Sequence, residues 1–349
     1  MAPAASGQPP TTMVSALSSA VASAPSAPAP KRGLSTSPEL GTAYQAEATA
    51  DGFIALVRKD NTDDSVSLPL RMVEKHGDDA TFTEVPFNMS SLLASNLPAK
   101  RFLFEEGEGP KKKVRIWTAA GLSEPIEDTV ATGAVGETQA LALVGKIDRF
   151  QMVSRADLPR GHRYRDGAWR PIELPPPAEK DFAGCFWNVD ARPKTDELVL
   201  LQICSAPMRE MAYAVFKLGP ASDTFERVPF DNALFDAVQA FRGTFNVEED
   251  GTIDIGNNNP GKMYLARLRP GASTWKVIER ELPTRLMSST GVFGERILMT
   301  DAGVKTLESS DEGATFREVP TLMGMLTQCN QYACTLMSPG RSGAYIYRW

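Results

Sequence analysis

Five times between residues 77 and 320 the chain runs from a polar turn through a small residue to an aromatic, then into a short apolar stretch closed by proline. Gly77-Asp78-Asp79-Ala80-Thr81-Phe82 leads to Val85-Pro86, and Arg165-Asp166-Gly167-Ala168-Trp169 leads to Ile172 and Leu174-Pro175. Ser222-Asp223-Thr224-Phe225 leads to Val228-Pro229, Ala272-Ser273-Thr274-Trp275 to Leu282-Pro283, and Thr315-Phe316 to Val319-Pro320. The residue types suit the task. Asp accepts backbone N–H groups in tight turns, Gly takes a positive φ, and Thr and aromatic residues favour strands. The aromatics at 169, 225, 275 and 316 recur with a period of roughly 40–55 residues, and the gap from 82 to 169 leaves room for one concealed copy near Trp117. Such a period, with several short strands per unit, predicts a β-propeller.

The fullest copy, Ser309-Ser310-Asp311-Glu312-Gly313-Ala314-Thr315-Phe316, has the pattern Ser-x-Asp-x-Gly-x-Thr-aromatic. It resembles the Asp-box, or BNR repeat, of sialidase-like β-propellers, with Phe316 where Trp is commoner. The resemblance implies that the box is a structural turn, so Asp311 is not expected to be catalytic. A sialidase-like glycoside hydrolase would also need clustered arginines for a substrate carboxylate, an acid and a Tyr/Glu nucleophile pair. The Arg-Ile-Pro-type motif of that family is missing, and Arg58, Arg71 and Arg101 stand in unrelated contexts.

From about Tyr44 onward apolar runs of strand length alternate with polar loops, and helical patterning is nearly absent outside residues 232–239. The expected class is all-β: a single β-propeller over residues 43–349 with seven four-stranded blades, six being the alternative. The third unit is read as strands 140–144 and 150–153 followed by a long loop before Trp169. The last unit offers only three strands, at 326–329, 332–337 and 344–349. A ring must pair its first and last blades to remove open edges, so a strand near Leu34 is expected to complete it. Residues 1–42, rich in Ala, Pro and Ser, read as a disordered tail or tether. Residues 13–24 lack a preceding basic residue and are interrupted by serines, so they are not read as a secretion signal.

Two cysteine pairs have hairpin spacing: Cys185 and Cys204 flank a turn near residues 194–195, and Cys329 and Cys334 flank four residues. Two disulfides are expected, and with them a periplasmic or extracellular location; the alternative is four buried thiols in a cytoplasmic protein. No metal or other cofactor is expected, since neither pair is a CxxC and the only histidines, His76 and His162, lie far apart in the sequence. A net charge of −6 gives no reason to expect nucleic acid as a partner, and no apolar run approaches a transmembrane span.

Ligands are expected on the face formed by the loops between the second and third strands of each blade, by analogy with other propellers. The contact residues chosen there are Arg209, Asn258, Lys262 and Arg341, which can donate hydrogen bonds. Residues 246–254 have calcium-loop-like oxygens but fit a plain hairpin better, since Asn246 and Asn257 replace the expected acids. Residues 160–165, Arg-Gly-His-Arg-Tyr-Arg, read as a solvated basic loop. No Walker loop, nucleophile elbow or His-Glu-x-x-His is present. The expected function is a non-enzymatic protein- or polysaccharide-binding scaffold, possible membrane tethering through the tail included; the alternative is a sialidase-like glycoside hydrolase.

Overall fold

Strands such as Gly52–Arg58, Ala140–Val144 and Glu197–Ser205 are near-continuous apolar runs buried on both faces, and they stack seven antiparallel sheets face to face in the computed structural model of the protein. The structure describes residues 32–58, 68–107, 112–127, 130–145, 153–178, 180–192, 195–205, 211–230, 244–259, 261–282, 289–301, 305–320, 322, 324–338 and 343–349. The reading of residues 1–31 and the short helix at 232–239 both lie outside them.

Each sheet is a blade with strands a to d counted from the central channel outward. Blade 1 comprises Ala43–Ala48, Gly52–Arg58, Leu68–His76 and Asp79–Met89; blade 2 comprises Ser91–Asn96, Arg101–Glu106, Lys113–Thr118 and Gly121–Leu122. Blade 3 has Val130–Val135, Ala140–Val144, Arg160–Arg165 and Ala168–Ile172. Blade 4 has Gly184–Arg192, Glu197–Ser205, Met211–Leu218 and Glu226–Val228. Blade 5 has Thr244–Val247, Ile253–Asn259, Lys262–Leu268 and Lys276–Glu281, and blade 6 has Ser289–Phe293, Arg296–Asp301, Lys305–Ser309 and Arg317–Val319. Blade 7 takes Met325–Cys329, Ala333–Met337 and Ala344–Arg348, and its outer strand is Gly33–Ser35 from the other end of the chain. Leu34 pairs with Tyr347, so the expected closing strand is present. Within the stretch read as tail, residues 32–42 are therefore ordered, and a 3-10 turn at Pro38–Thr42 follows the closing strand and buries Leu40.

The repeated turn–aromatic–proline unit has a packing role. In blades 3, 5 and 6 the aromatic at the start of strand d turns toward the preceding blade, whereas Phe82 of blade 1 is half exposed and lies under Arg71 of its own blade. Trp275 of blade 5 joins the apolar cluster shared with blade 4, and its Nε1 donates to the Pro229 carbonyl at 2.8 Å. Trp169 of blade 3 packs with Leu103, Val114 and Ile116 of blade 2, and its Nε1 donates to Ser123 Oγ at 3.1 Å. Phe316 packs with Met263 and Leu265 of blade 5. The concealed copy is blade 2, where Trp117 is next to last in strand c and the exposed Leu122 opposite it occupies the aromatic position.

The fullest turn is held by its own side chains. Asp311 accepts Thr315 N at 2.9 Å and Thr315 Oγ1 at 2.6 Å, and Ser309 Oγ accepts Gly313 N at 2.8 Å. Gly313 sits at φ +78, where side chains are strained. These bonds, Thr315 foremost, hold the Asp311 carboxyl down at about 2.

Both disulfides form as paired, Cys185–Cys204 and Cys329–Cys334, each joining register partners of strands a and b. Blade 6 approaches the second closely: a side chain at Gly291 would collide with Cys329 Sγ.

Two local expectations fail in blade 3. Residues 160–165 form strand c rather than a solvated loop, because its alternate residues Arg163 and Gly161 turn inward. Arg163 is buried and bonds Gln139 Oε1 together with the Gly219, Pro220 and Ser222 carbonyls of blade 4. A guanidinium that satisfies backbone acceptors can be buried as an apolar residue would be. Val153–Ser154 does not extend blade 3 but pairs with Cys185 and Gly184 on the inner edge of blade 4. Residues 246–254 form the a–b hairpin of blade 5, with Val247 opposite Ile253.

Candidate functional site: an acidic central cavity

Strand direction alternates within each blade, so the a–b and c–d turns share one face and the b–c loops share the other. A cavity of ≈ 480 Å³ occupies the channel at the a–b end, lined by the innermost strands of blades 1, 2, 3, 4, 5 and 7 and by their following turns. Ligands were expected on the opposite, b–c face. There Val153–Ser154 lies against the beginning of the first main strand of blade 4, whereas the cavity meets that strand near its end, at Val189, Asp190 and Ala191.

Five carboxylates line the cavity: Glu47, Glu137, Asp190, Glu248 and Glu249. They are accompanied by Gln45, Asn96, Asn246, Gln328 and Asn330, and among the described residues of the lining there is no lysine or arginine. The backbone fixes several of these groups. Asp190 Oδ2 accepts Val247 N of the next blade at 2.8 Å, and its Oδ1 accepts Ala191 N at 2.8 Å. Glu248 accepts Gly294 N of blade 6 through both oxygens, at 2.9 and 2.8 Å. Asn330 donates to Ala48 O at 2.8 Å and so ties blade 7 to blade 1.

Burial makes three of them, Glu47, Asp190 and Glu248, reluctant to ionise. Burial lifts Glu47 to about 7, Asn330 opposing the rise and the Glu249 charge adding to it. Burial lifts Asp190 to about 6 against the two backbone N–H groups that favour its anion. Glu248 is raised by burial and by the adjacent Asp254 carboxyl, with Gly294 N–H and Arg267 opposing. A set of this kind can hold a cationic or donor-rich group and can exchange protons near neutrality. Its members were not singled out in the sequence, apart from Glu248 and Glu249 within the hairpin. The available signal was a carboxylate at or just past the end of the innermost strands of blades 1, 3, 4 and 5, and it becomes visible only once those strands are assigned.

Of the residues chosen from the sequence, neither Asn258 nor Lys262 lines this cavity. Arg209 and Arg341 lie outside the described residues. Asn258 is in strand Ile253–Asn259 opposite Met263. Lys262 begins the next strand, and its ammonium contacts Glu279 at 2.8 Å and Glu281 at 3.3 Å on the outer strand. Those two carboxylates raise its pKa, Glu279 most.

No protein-family model matches the sequence, and no curated protein matches it significantly. Among solved structures, the β-propeller domain of the Trilobed protease from Pyrococcus furiosus aligns with a TM-score of 0.51 at 10% identity, covering 91% of this chain and 94% of that one. TolB from Acinetobacter baumannii aligns at 0.36 and 10% identity over 85% of this chain, which spans only 63% of that structure. The Hadza microbial sialidase Hz136 aligns at 0.39 and 11% identity over 81% of this chain and 73% of its own. At 10% identity the likeness to the protease domain is one of fold alone, and the sheet order makes the fold of this chain a seven-bladed β-propeller.

Proposed function

We propose that the protein is an extracytoplasmic, non-catalytic binding propeller of the Asp-box, sialidase-like kind, and that its acidic central cavity receives a lysine- or arginine-bearing segment of a partner protein. The observation that carries this reading is the lining of five carboxylates without a lysine or arginine among the described residues. A low-dielectric recess of one sign attracts the opposite charge and discriminates against anions. The two disulfides support an oxidising compartment. The domain reading that accompanies it is a propeller carried on an Ala/Pro/Ser-rich N-terminal extension.

The test is calorimetric titration with tri-arginine and tri-lysine peptides, with tri-glutamate as control. Binding should tighten between pH 5 and pH 8 as Glu47 and Asp190 ionise, and Glu137→Gln with Glu249→Gln should weaken it about tenfold. Equal binding of tri-glutamate, or indifference to the double substitution, would exclude the reading. A neutral oligosaccharide that binds in place of the peptides would assign the cavity to polysaccharide.

One observation favours a second reading, glycoside hydrolysis: a carboxyl held at about 7 beside another carboxylate is what a general acid requires. Turnover of a neutral aryl-glycoside panel that disappears in Glu47→Gln would establish it.

A further inference from the structure

A second pocket, of ≈ 610 Å³, lies in the seam between blades 3 and 4. Its walls are apolar: Leu158, Pro171, Ile172, Leu174 and the three prolines 175–177. Trp187, on the innermost main strand of blade 4, contributes to the lining from beneath. That indole is almost wholly buried, 3% exposed, and its Nε1 has no hydrogen-bond partner. Directly opposite in register stands Gln202, wholly buried, whose Nε2 donates to Pro175 O at 3.1 Å while its Oε1 has no partner. Two register partners thus carry a buried donor and a buried acceptor, each a group that proteins ordinarily pair.

The rim carries the opposite character. Arg160 and His162, two residues apart on one strand and so on one face, both line the pocket. They also line a smaller adjoining recess with Glu127 and Trp169. Glu173 is the only carboxylate of the larger pocket among the described residues. Burial lowers the His162 pKa, and the Arg160 charge lowers it further. An anion placed between the two would relieve that repulsion.

We propose that this seam pocket binds the C-terminal end of an apolar peptide. The terminal carboxylate is held by Arg160 and His162, the apolar side chains lie against the prolines and Ile172, and a peptide unit answers the donor of Trp187 and the acceptor of Gln202. The chemistry is complementary at each point. A C-terminus supplies one full negative charge, and a peptide unit supplies one C=O for an indole N–H and one N–H for an amide oxygen. The volume is within the range of pockets that enclose small ligands, about 300–1,000 Å³. This site is separate from the central cavity and does not depend on the reading given for it.

The chain has only two histidines, which makes the test direct. His76 lies on blade 1, exposed and 3.1 Å from Asp51, and serves as an internal control for His162. Imidazole resonances of the intact protein are followed by NMR during titration with acetyl-Ala-Pro-Leu as the free acid and as the C-terminal amide. The free acid should bind, raise the His162 pKa and leave that of His76 in place, while the amide should bind about tenfold more weakly. Trp187→Phe, which keeps an aromatic ring but removes the indole N–H, should weaken the free acid about fivefold, and His162→Gln should weaken it comparably. Glu173→Gln, on the exposed rim, should tighten it. Equal affinity for acid and amide, or binding without a His162 shift, would overturn the proposal, as would failure of the free acid to bind at millimolar concentration. Should Trp187→Phe fail to fold, the acid–amide comparison and His162→Gln decide the matter.

Discussion

Arg267 Nε donates to Asp254 Oδ1 at 2.8 Å and its Nη2 to Oδ2 at 3.1 Å, a two-pronged ion pair between register partners of blade 5. Both side chains are buried, and the guanidinium continues to Glu248 at 3.2 Å and to Glu312 of blade 6 at 3.2 Å. Burial works against the Arg267 charge, but Asp254, Glu248 and Glu312 outweigh it and raise its pKa. One cation therefore joins the end of the innermost strand of blade 5 to the polar turn of blade 6. It also reaches the acidic cavity through Glu248.

Removing that cation leaves buried carboxylates without compensation. Arg267→Met should cost about 3–5 kcal/mol in urea unfolding at pH 7. Arg165→Met, whose exposed partners are Asp166 and Asp223, should cost less than about 1 kcal/mol. Equal losses in the two variants would show that the buried network contributes nothing beyond surface pairing.

Glu47 gives stability a definite pH dependence. Its folded pKa, about 7, lies above its ordinary value of 4.5, so between those two pH values the folded chain holds more protons than the unfolded one. The sign follows from linkage: this contribution favours the fold below the ordinary value, is lost as pH rises through the interval, and stays lost above it. Glu47→Gln should therefore stabilise the protein by up to about 3 kcal/mol at pH 8.5 and by little at pH 4.5. Unfolding curves of the two proteins that run parallel over this range would contradict it.

Much of this architecture was legible in the residues. The turn–aromatic–proline units mark strands c and d because that turn has chemistry of its own, from Asp311 and Gly313 to the weaker Asp166-Gly167. The cysteine spacings marked two a–b hairpins, and the missing fourth strand of blade 7 pointed to Leu34. What escaped depended on neighbours distant in sequence. Arg163 looks solvent-bound among other basic residues, and only the carbonyls of Gly219, Pro220 and Ser222 make it a buried clamp. The cavity escaped for the same reason. Glu47, Asp190 and Glu249 are far apart in the chain, and the closing of the ring brings them to one mouth.

The disulfides should differ in weight. Cys185–Cys204 closes a separation of 19 residues and Cys329–Cys334 one of 5. Chain-entropy reasoning makes the longer loop worth about 1 kcal/mol more, on a scale of about 2–3 kcal/mol per bond. Paired substitution to alanine should lower the urea midpoint more at 185 and 204 than at 329 and 334. The reverse order would show that packing against Gly291, rather than loop length, sets the contribution.

Ring closure rests on a short piece of chain, and its removal should be felt out of proportion to its size. Gly33–Ser35 supplies the fourth strand of blade 7 through pairs with Arg348, Tyr347 and Ile346. Just before it, Arg32 reaches Glu308 of blade 6, a buried carboxylate that also accepts Tyr347 Oη at 2.8 Å and Arg317. Leu34 is itself half exposed, so burial of that side chain adds little. The contribution comes from backbone bonds and from Arg32, at about 1 kcal/mol per net hydrogen bond. A chain beginning at residue 36 should lose about 2–4 kcal/mol relative to one beginning at residue 32. It should also self-associate, because the outer edge of Ala344–Arg348 would be open to pairing with another copy. Light scattering and urea unfolding of the two proteins decide it: identical stability with no association would mean that the ring closes through strands a to c of blade 7 alone.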